Sequence, residues 1–135
     1  MVGGTPSHPG APPDLTALAP APYLGEGHWV PAGRAVDGMW PVWVTTRRPP
    51  GGGTPAGVAR LDTTRLRIVI YAGSTQPGGN WTYQADIAPE LIPQLVAAFN
   101  GGFQFRASGG GFFADGHASP PLVDGAASLV VRNDG

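Results

Sequence analysis

Glycine and proline interrupt this chain so often that they leave little room for regular helix. The sequence holds 22 glycines and 16 prolines among its 135 residues. Glycine tolerates the positive φ that tight turns need, and proline removes a backbone donor, so many turns are expected. The hydrophobic fraction, 41%, is still enough for a core. We predict a β-rich α+β fold, with an incomplete mixed sheet, one short helix and long Gly/Pro loops.

The domain organisation follows the same composition. Proline, alanine, glycine and serine dominate residues 1–22, a segment too poor in large apolar side chains to fold by itself. We therefore predict a disordered linker over residues 1–22 and a folded portion over residues 23–135. The chain closes on the turn-forming residues 133–135 without a returning strand, so we also expect it to be a truncated portion of a longer domain.

Strand predictions come from alternating apolar residues, and turn predictions from glycine, proline and Asp-Gly pairs. Pro41 cannot donate to a ladder, which favours an edge position for the first strand. Pro89 suits the first position of a helical turn, and Asp115-Gly116 is a two-residue hairpin signal. The predicted strands cover residues 39–46, 58–62, 65–72, 95–99, 111–114 and 128–132, with a further one from His117 onward.

Composition also excludes several kinds of chemistry. The chain has no cysteine and no lysine, and its eight basic residues are all arginine. Thiolate catalysis, cysteine-bound metals, a P-loop lysine and a Schiff-base lysine are therefore excluded. The net charge of −1 gives no reason to expect a nucleic-acid surface, and no apolar run of 18 residues predicts a membrane span. The three histidines lack metal-site spacing, so no metal site is predicted, and any cofactor is unknown.

Polar groups and bare backbone concentrate in one short stretch. Asn100-Gly101-Gly102 directly follows the apolar residues 95–99, and Arg106 and a Gly109–Gly111 run come next. Consecutive backbone amides at such a turn can face an anion, and a guanidinium matches phosphate oxygens. The alternatives to an anion-binding site are a simple tight turn at residues 100–102 and a solvated loop arginine at position 106.

The same stretch resembles the phosphodiester glycosidase family, whose domain removes N-acetylglucosamine from a phosphodiester. The resemblance lies in Asn100-Gly101-Gly102-Phe103, the glycine-rich interval after it, and the Asp-Gly pairs at Asp115 and Asp124. Residues 25–33 and 71–79 are similar to the actinobacterial branch of that family. Together these segments cover roughly residues 25 to 135.

This resemblance implies a mixed α/β domain of large β content that acts on sugar-1-phosphodiesters outside the cytoplasm, in the cell envelope. No secretory signal is evident at the N-terminus. The resemblance also implies that the substrate is bound by Asn100, Gly101, Gly102 and Arg106.

Glycoside hydrolysis usually needs two carboxyl groups. Asp115 is the preferred one and His117 a candidate general acid or base. The partner carboxylate is left open among Asp124, Glu26, Asp86 and a residue beyond position 135.

Two other functions fit the same residues. A non-catalytic envelope module would bind glycan or polymer phosphate with these loops and would need no proton donor. An inactive gene fragment would have no independent function. The aromatic residues are expected to be core or rim packing rather than sugar platforms.

Overall fold

The computed structural model describes residues 8–102 and 104–132. Phe103 and the predicted terminal turn at residues 133–135 lie outside the described residues. The described chain is a small α+β fold with two small antiparallel sheets and little helix, which confirms the predicted fold class. It divides into two compact units, one ending at Leu66 and the other beginning at Arg67.

The first unit is built on a three-stranded antiparallel sheet. Its strands are β1 (Val30–Pro31), β2 (Val42–Arg47) and β3 (Ala56–Leu61), in the order β1-β2-β3. β2 is therefore the central strand, and the edge position expected for it is wrong. Pro41 lies just before β2, fully buried, and its carbonyl accepts the N–H of Asp62 at 2.8 Å. Since proline stands outside the ladder here, no strand hydrogen bond is lost.

The sequence around β2 explains why it forms the core of this unit. Its run Val-Trp-Val-Thr-Thr is β-branched or aromatic at every position, a composition that favours a pleated surface. Val42 and Trp43 are buried, and Trp29 packs in the same core. The Trp43 indole N–H donates to the carbonyl of Trp40 at 2.8 Å, so the buried ring keeps its hydrogen bond.

Residues 8–21 pack against this sheet. The N–H of Leu15 donates to the carbonyl of Gly27 at 2.9 Å, and the Trp29 indole donates to Pro13 at 3.1 Å. An Asp14 carboxylate oxygen lies 3.0 Å from Nδ1 of His28. That hydrogen bond lowers the pKa of Asp14. The predicted division of the chain at residue 22 stays a prediction.

A partly buried ion pair joins the loop before β1 to the residue that follows β2. The Glu26 side chain is fully inaccessible and accepts hydrogen bonds from the Arg48 backbone N–H at 2.7 Å and from its guanidinium at 3.2 Å. The backbone N–H of Arg48 is the main cause that lowers the pKa of Glu26, followed by its guanidinium. The same guanidinium lies over the Tyr23 ring, 5.1 Å from its centroid.

The second unit has short elements joined by long loops. They are a 3₁₀ helix at Pro89–Gln94, helix α1 (Phe105–Ser108), and the hairpin strands β4 (Phe113–Ala114) and β5 (His117–Ala118). The helical turn beginning at Pro89 and the hairpin across Asp115-Gly116 are both as predicted. Among the described residues, no helix is long and apolar enough to span a bilayer.

Three predicted strands are not formed. Residues 65–72, 95–99 and 128–132 pair with no strand in the part of the chain that the structure describes, apart from an isolated bridge between Ala72 and Gln84. Alternation marks a segment that can be half-buried, but a strand needs a ladder partner as well. The fully buried Ala72 instead exchanges backbone hydrogen bonds with Tyr83 and Ala85, at 2.9 and 2.8 Å.

Candidate functional site

The candidate catalytic residues lie on the β4–β5 hairpin of the second unit. Asp115 and Gly116 have φ of 50° and 79°, and a type I′ turn needs positive φ at both central positions. Asp-Gly satisfies this requirement at low cost. The turn brings Asp115 and His117 together at one exposed tip.

The Asp115 carboxylate is held from outside the hairpin. Its Oδ2 accepts the backbone N–H of Thr82, 33 residues upstream, at 2.7 Å. A second Asp-Gly turn, Asp37-Gly38 in the first unit, has nearly the same φ values, 49° and 74°. Its carboxylate has no hydrogen-bond partner among the described residues. The turn type therefore does not require the hydrogen bond from Thr82 to the Asp115 carboxylate.

The His117 ring stacks on Trp81. The two ring planes are 7° from parallel and their centroids are 4.3 Å apart. Nδ1 of His117 lies 3.5 Å from the Asp115 carbonyl oxygen, at the outer limit of a hydrogen bond. His117 is exposed, whereas Trp81 is buried. The packing role predicted for Trp81 is confirmed.

Arg106 lies in helix α1, a single turn. Gly109 ends this helix in the left-handed conformation, φ 62°, and its N–H donates to the Phe105 carbonyl at 2.8 Å. The N–H of Phe105 donates to the side-chain Oε1 of Gln76 at 2.8 Å, which fixes the start of the helix. Arg106 is exposed and makes no hydrogen bond or ion pair with the described residues. Its guanidinium is available to a ligand.

The Asn100–Gly102 segment differs from the predicted turn. All three residues are exposed, but neither Gly101 nor Gly102 adopts a positive φ. The expected tight turn between two paired strands is wrong, because residues 95–99 form no strand. The described contacts do not join these residues to Arg106, Asp115 or His117, and their role in binding stays a prediction.

The possible partner carboxylates have different surroundings. Glu26 is buried in its ion pair with Arg48, which favours a structural role. Asp86 and Asp124 are exposed, and Asp124 stands in a turn closed by a hydrogen bond from Ala126 N–H to the Val123 carbonyl at 3.2 Å. Neither contacts Asp115 through the hydrogen bonds of the described residues.

The guanidinium groups of Arg47 and Arg48, in the first unit, are already engaged within the chain. The Arg47 guanidinium donates to the Thr16 carbonyl and that of Arg48 to the Ala21 carbonyl. Both therefore hold the N-terminal segment. Within residues 8–102 and 104–132, no group of three or more His, Asp and Glu side chains is placed to hold a metal ion.

No family model, curated protein or solved structure matches this chain. The resemblance to phosphodiester glycosidases therefore stays a prediction. The candidate site is inferred from its geometry. An exposed carboxylate and an exposed imidazole are held by two adjacent upstream residues, Thr82 and Trp81, which form the anchor of the site.

Sequence reasoning missed that anchor. Thr82 contributes a backbone N–H, for which a sequence carries no signal. Gln76 contributes an amide oxygen from a Gly/Pro loop, where polar residues are ordinary. In the sequence Trp81 is only one of several aromatic residues, because its stacking partner lies 36 positions further along the chain. The only sequence signal for this stack is the presence of a tryptophan in one loop and a histidine beside an Asp-Gly turn.

Proposed function

We propose that this chain is a hydrolase-like domain that cleaves sugar-1-phosphodiesters. The observation that supports it best is the shared anchor of Asp115 and His117. Thr82 donates to the carboxylate at 2.7 Å, and Trp81 stacks on the imidazole at 4.3 Å. A carboxylate and an imidazole held beside each other at an exposed tip are a pair suited to proton transfer.

The phosphate would be bound by Arg106. Its guanidinium is exposed, has no partner among the described residues, and presents a planar fork that matches phosphate oxygens. Asn100, Gly101 and Gly102 would add an amide side chain and exposed backbone N–H groups. Their placement in this role rests on the family resemblance.

The proposed reaction adds water across the bond between the anomeric carbon and its oxygen. Asp115 takes a proton from water, the water oxygen bonds to the anomeric carbon, and the carbon–oxygen bond to phosphate breaks. His117 gives a proton to the departing phosphate oxygen. The products are a reducing sugar and a phosphomonoester. Thr82 engages Oδ2 of Asp115, and Oδ1, which accepts no hydrogen bond from the described residues, would take this proton.

The setting in the cell envelope is part of the same proposal. It rests on the resemblance of residues 25–135 to a family that acts on glycans outside the cytoplasm.

A glycan- or phosphate-binding module without catalysis is the second candidate. One observation favours it: Asp115 is the only carboxylate at the hairpin tip among the described residues, and hydrolysis of a glycoside usually uses two. Such a module would use Arg106 and the exposed loops, and Asp115 would contact a sugar hydroxyl.

Hydrolysis in ¹⁸O-labelled water tests the first proposal. The full chain is incubated with a sugar-1-phosphodiester that carries no nucleotide, such as methyl N-acetylglucosamine-1-phosphate. The proposal expects a reducing sugar that carries the label and an unlabelled methyl phosphate. Label in the phosphate would mean phosphorus–oxygen cleavage and would overturn the proposed reaction. Saturable binding without product would replace the enzyme with the binding module, and neither binding nor product would exclude both.

A further inference from the structure

The indole of Trp81 is fixed from two sides within the second unit. Its Nε1–H donates to the carbonyl of Gly78 at 2.6 Å. The ring of Phe112 meets it edge-on, with centroids 4.9 Å apart and planes 80° apart. Edge-to-face contacts of this kind are favourable because the positive ring edge meets the negative face. A buried ring with a satisfied N–H and an aromatic neighbour is a rigid platform.

The exposed imidazole of His117 lies flat on this platform. Parallel stacking at 4.3 Å leaves few side-chain rotamers for the imidazole, since most would lift the ring off the indole. The face of an indole also attracts a cation, so the contact persists when the imidazole is protonated. The stack therefore holds the His117 imidazole in one orientation.

The neighbouring residue holds the second candidate group. Thr82 follows Trp81 directly and donates its N–H to Asp115. The loop that contains both also reaches α1, because the Gln76 side chain accepts the N–H of Phe105, next to Arg106. One loop, residues 76–82, thus contacts both the hairpin that carries Asp115 and His117 and the helix that carries Arg106.

We propose that Trp81 is a positioning residue that sets the plane of the His117 imidazole for proton transfer. The catalytic role of Trp81 rests on the function proposed above. Its effect on the orientation of the His117 imidazole does not depend on that function. The indole itself contacts no substrate. It acts through His117, so its loss should lower kcat and leave KM nearly unchanged.

Two variants and a matched control test this role. Trp81→Leu keeps an apolar side chain but removes the aromatic face, and Trp81→Phe restores a smaller face. Tyr83→Leu serves as the control, because Tyr83 pairs with Tyr71 at 5.4 Å in the same unit and does not touch His117. The measurements are the ¹H shifts of the His117 ring and, on methyl N-acetylglucosamine-1-phosphate, kcat and KM.

The wild-type His117 ring protons are expected to lie upfield of a free histidine, because they stand in the ring current of the indole. Trp81→Leu should return them to the free value and lower kcat by at least about tenfold. Trp81→Phe should restore part of both effects, and Tyr83→Leu should change neither. Unaltered His117 shifts in Trp81→Leu would overturn the stack, and an unaltered kcat with altered shifts would overturn the positioning role.

The two proposals fail separately. If the wild-type chain turns over no phosphodiester, the enzyme proposal and the catalytic role fall, but the ring shifts still decide the orientation of His117. If Trp81→Leu does not fold, nuclear Overhauser contacts between the His117 ring and the indole in the wild-type chain decide it, and their absence overturns the proposal.

Discussion

The carbonyl oxygen of Leu15 occupies the space in which a Cβ of residue 27 would stand. Gly27 has a φ of 81°, and an added Cβ would overlap that oxygen. The same pair is joined by the hydrogen bond from Leu15 N–H to the Gly27 carbonyl. Glycine at position 27 is therefore what allows the N-terminal segment to approach the loop before β1.

Gly27→Ala should detach this segment from the sheet. Positive φ alone costs a non-glycine residue about 1–2 kcal/mol, and the clash with the Leu15 backbone adds to it. Gly25→Ala is the matched control, since Gly25 has a φ of 86° but open space around it. We expect Gly27→Ala to lose at least about 1 kcal/mol more than Gly25→Ala in urea unfolding, with faster proteolysis of residues 8–21. Equal losses in the two variants would contradict this account.

The Glu26–Arg48 pair should make the stability of the first unit depend on acid. The folded pKa of Glu26 is lowered by the Arg48 N–H and guanidinium. Its contribution to stability is therefore complete above the ordinary glutamate value of about 4.3 and is lost as pH falls through the lower folded value. Melting curves of wild type and Glu26→Gln between pH 7 and pH 2 test this.

The expected result is a gap in melting temperature at pH 7 that narrows as the pH falls. Glu90→Gln is the control, because Glu90 is exposed in the first turn of the 3₁₀ helix. A gap for Glu26→Gln that stays constant down to the lowest pH would show that its charge contributes nothing.

Thr45→Val should stabilise the chain. The Thr45 hydroxyl is buried and has no hydrogen-bond partner among the described residues, and Thr45 faces Val58 across β2 and β3. A buried hydroxyl without a partner carries a desolvation penalty, so replacing it with a methyl group should raise the free energy of unfolding by about 1 kcal/mol.

Thr46→Val is the contrasting variant. The exposed Thr46 hydroxyl hydrogen-bonds to that of Tyr23, so this variant should lower the same quantity or leave it unchanged. Chemical unfolding of both variants checks the contrast. A destabilised Thr45→Val protein would mean that the hydroxyl has a partner in solution.

Gly111 should be required for the hairpin that carries the candidate site. A Cβ at this position would overlap the backbone carbonyl of Pro121, whereas one at Gly110 would meet only the Ser108 hydroxyl at 3.5 Å. Gly111→Ala should therefore destabilise the second unit by about 2 kcal/mol and speed amide exchange at Ser119, whose N–H donates to Phe112. Gly110→Ala should do neither, and similar exchange in both would refute the requirement.

The sequence was sufficient where local chemistry decides the outcome. The β-branched run of β2, the Asp115-Gly116 turn and the helical start at Pro89 were predictable, because each depends on a few adjacent residues. The strand expected at residues 65–72 has an equally good pattern but no partner, and pairing is a property of distant segments. The same limit applies to the site, since the contacts of Thr82 with Asp115 and of Trp81 with His117 span more than 30 residues.

The most direct test is the turnover of methyl N-acetylglucosamine-1-phosphate by Asp115→Asn against Asp37→Asn. The two aspartates occupy Asp-Gly turns of nearly equal φ, so turn geometry is matched and only the Asp115 carboxylate is held by a distant N–H. We predict that Asp115→Asn lowers kcat by at least about a hundredfold while Asp37→Asn keeps wild-type kcat. Equal turnover by the two variants would contradict a catalytic role for the hairpin.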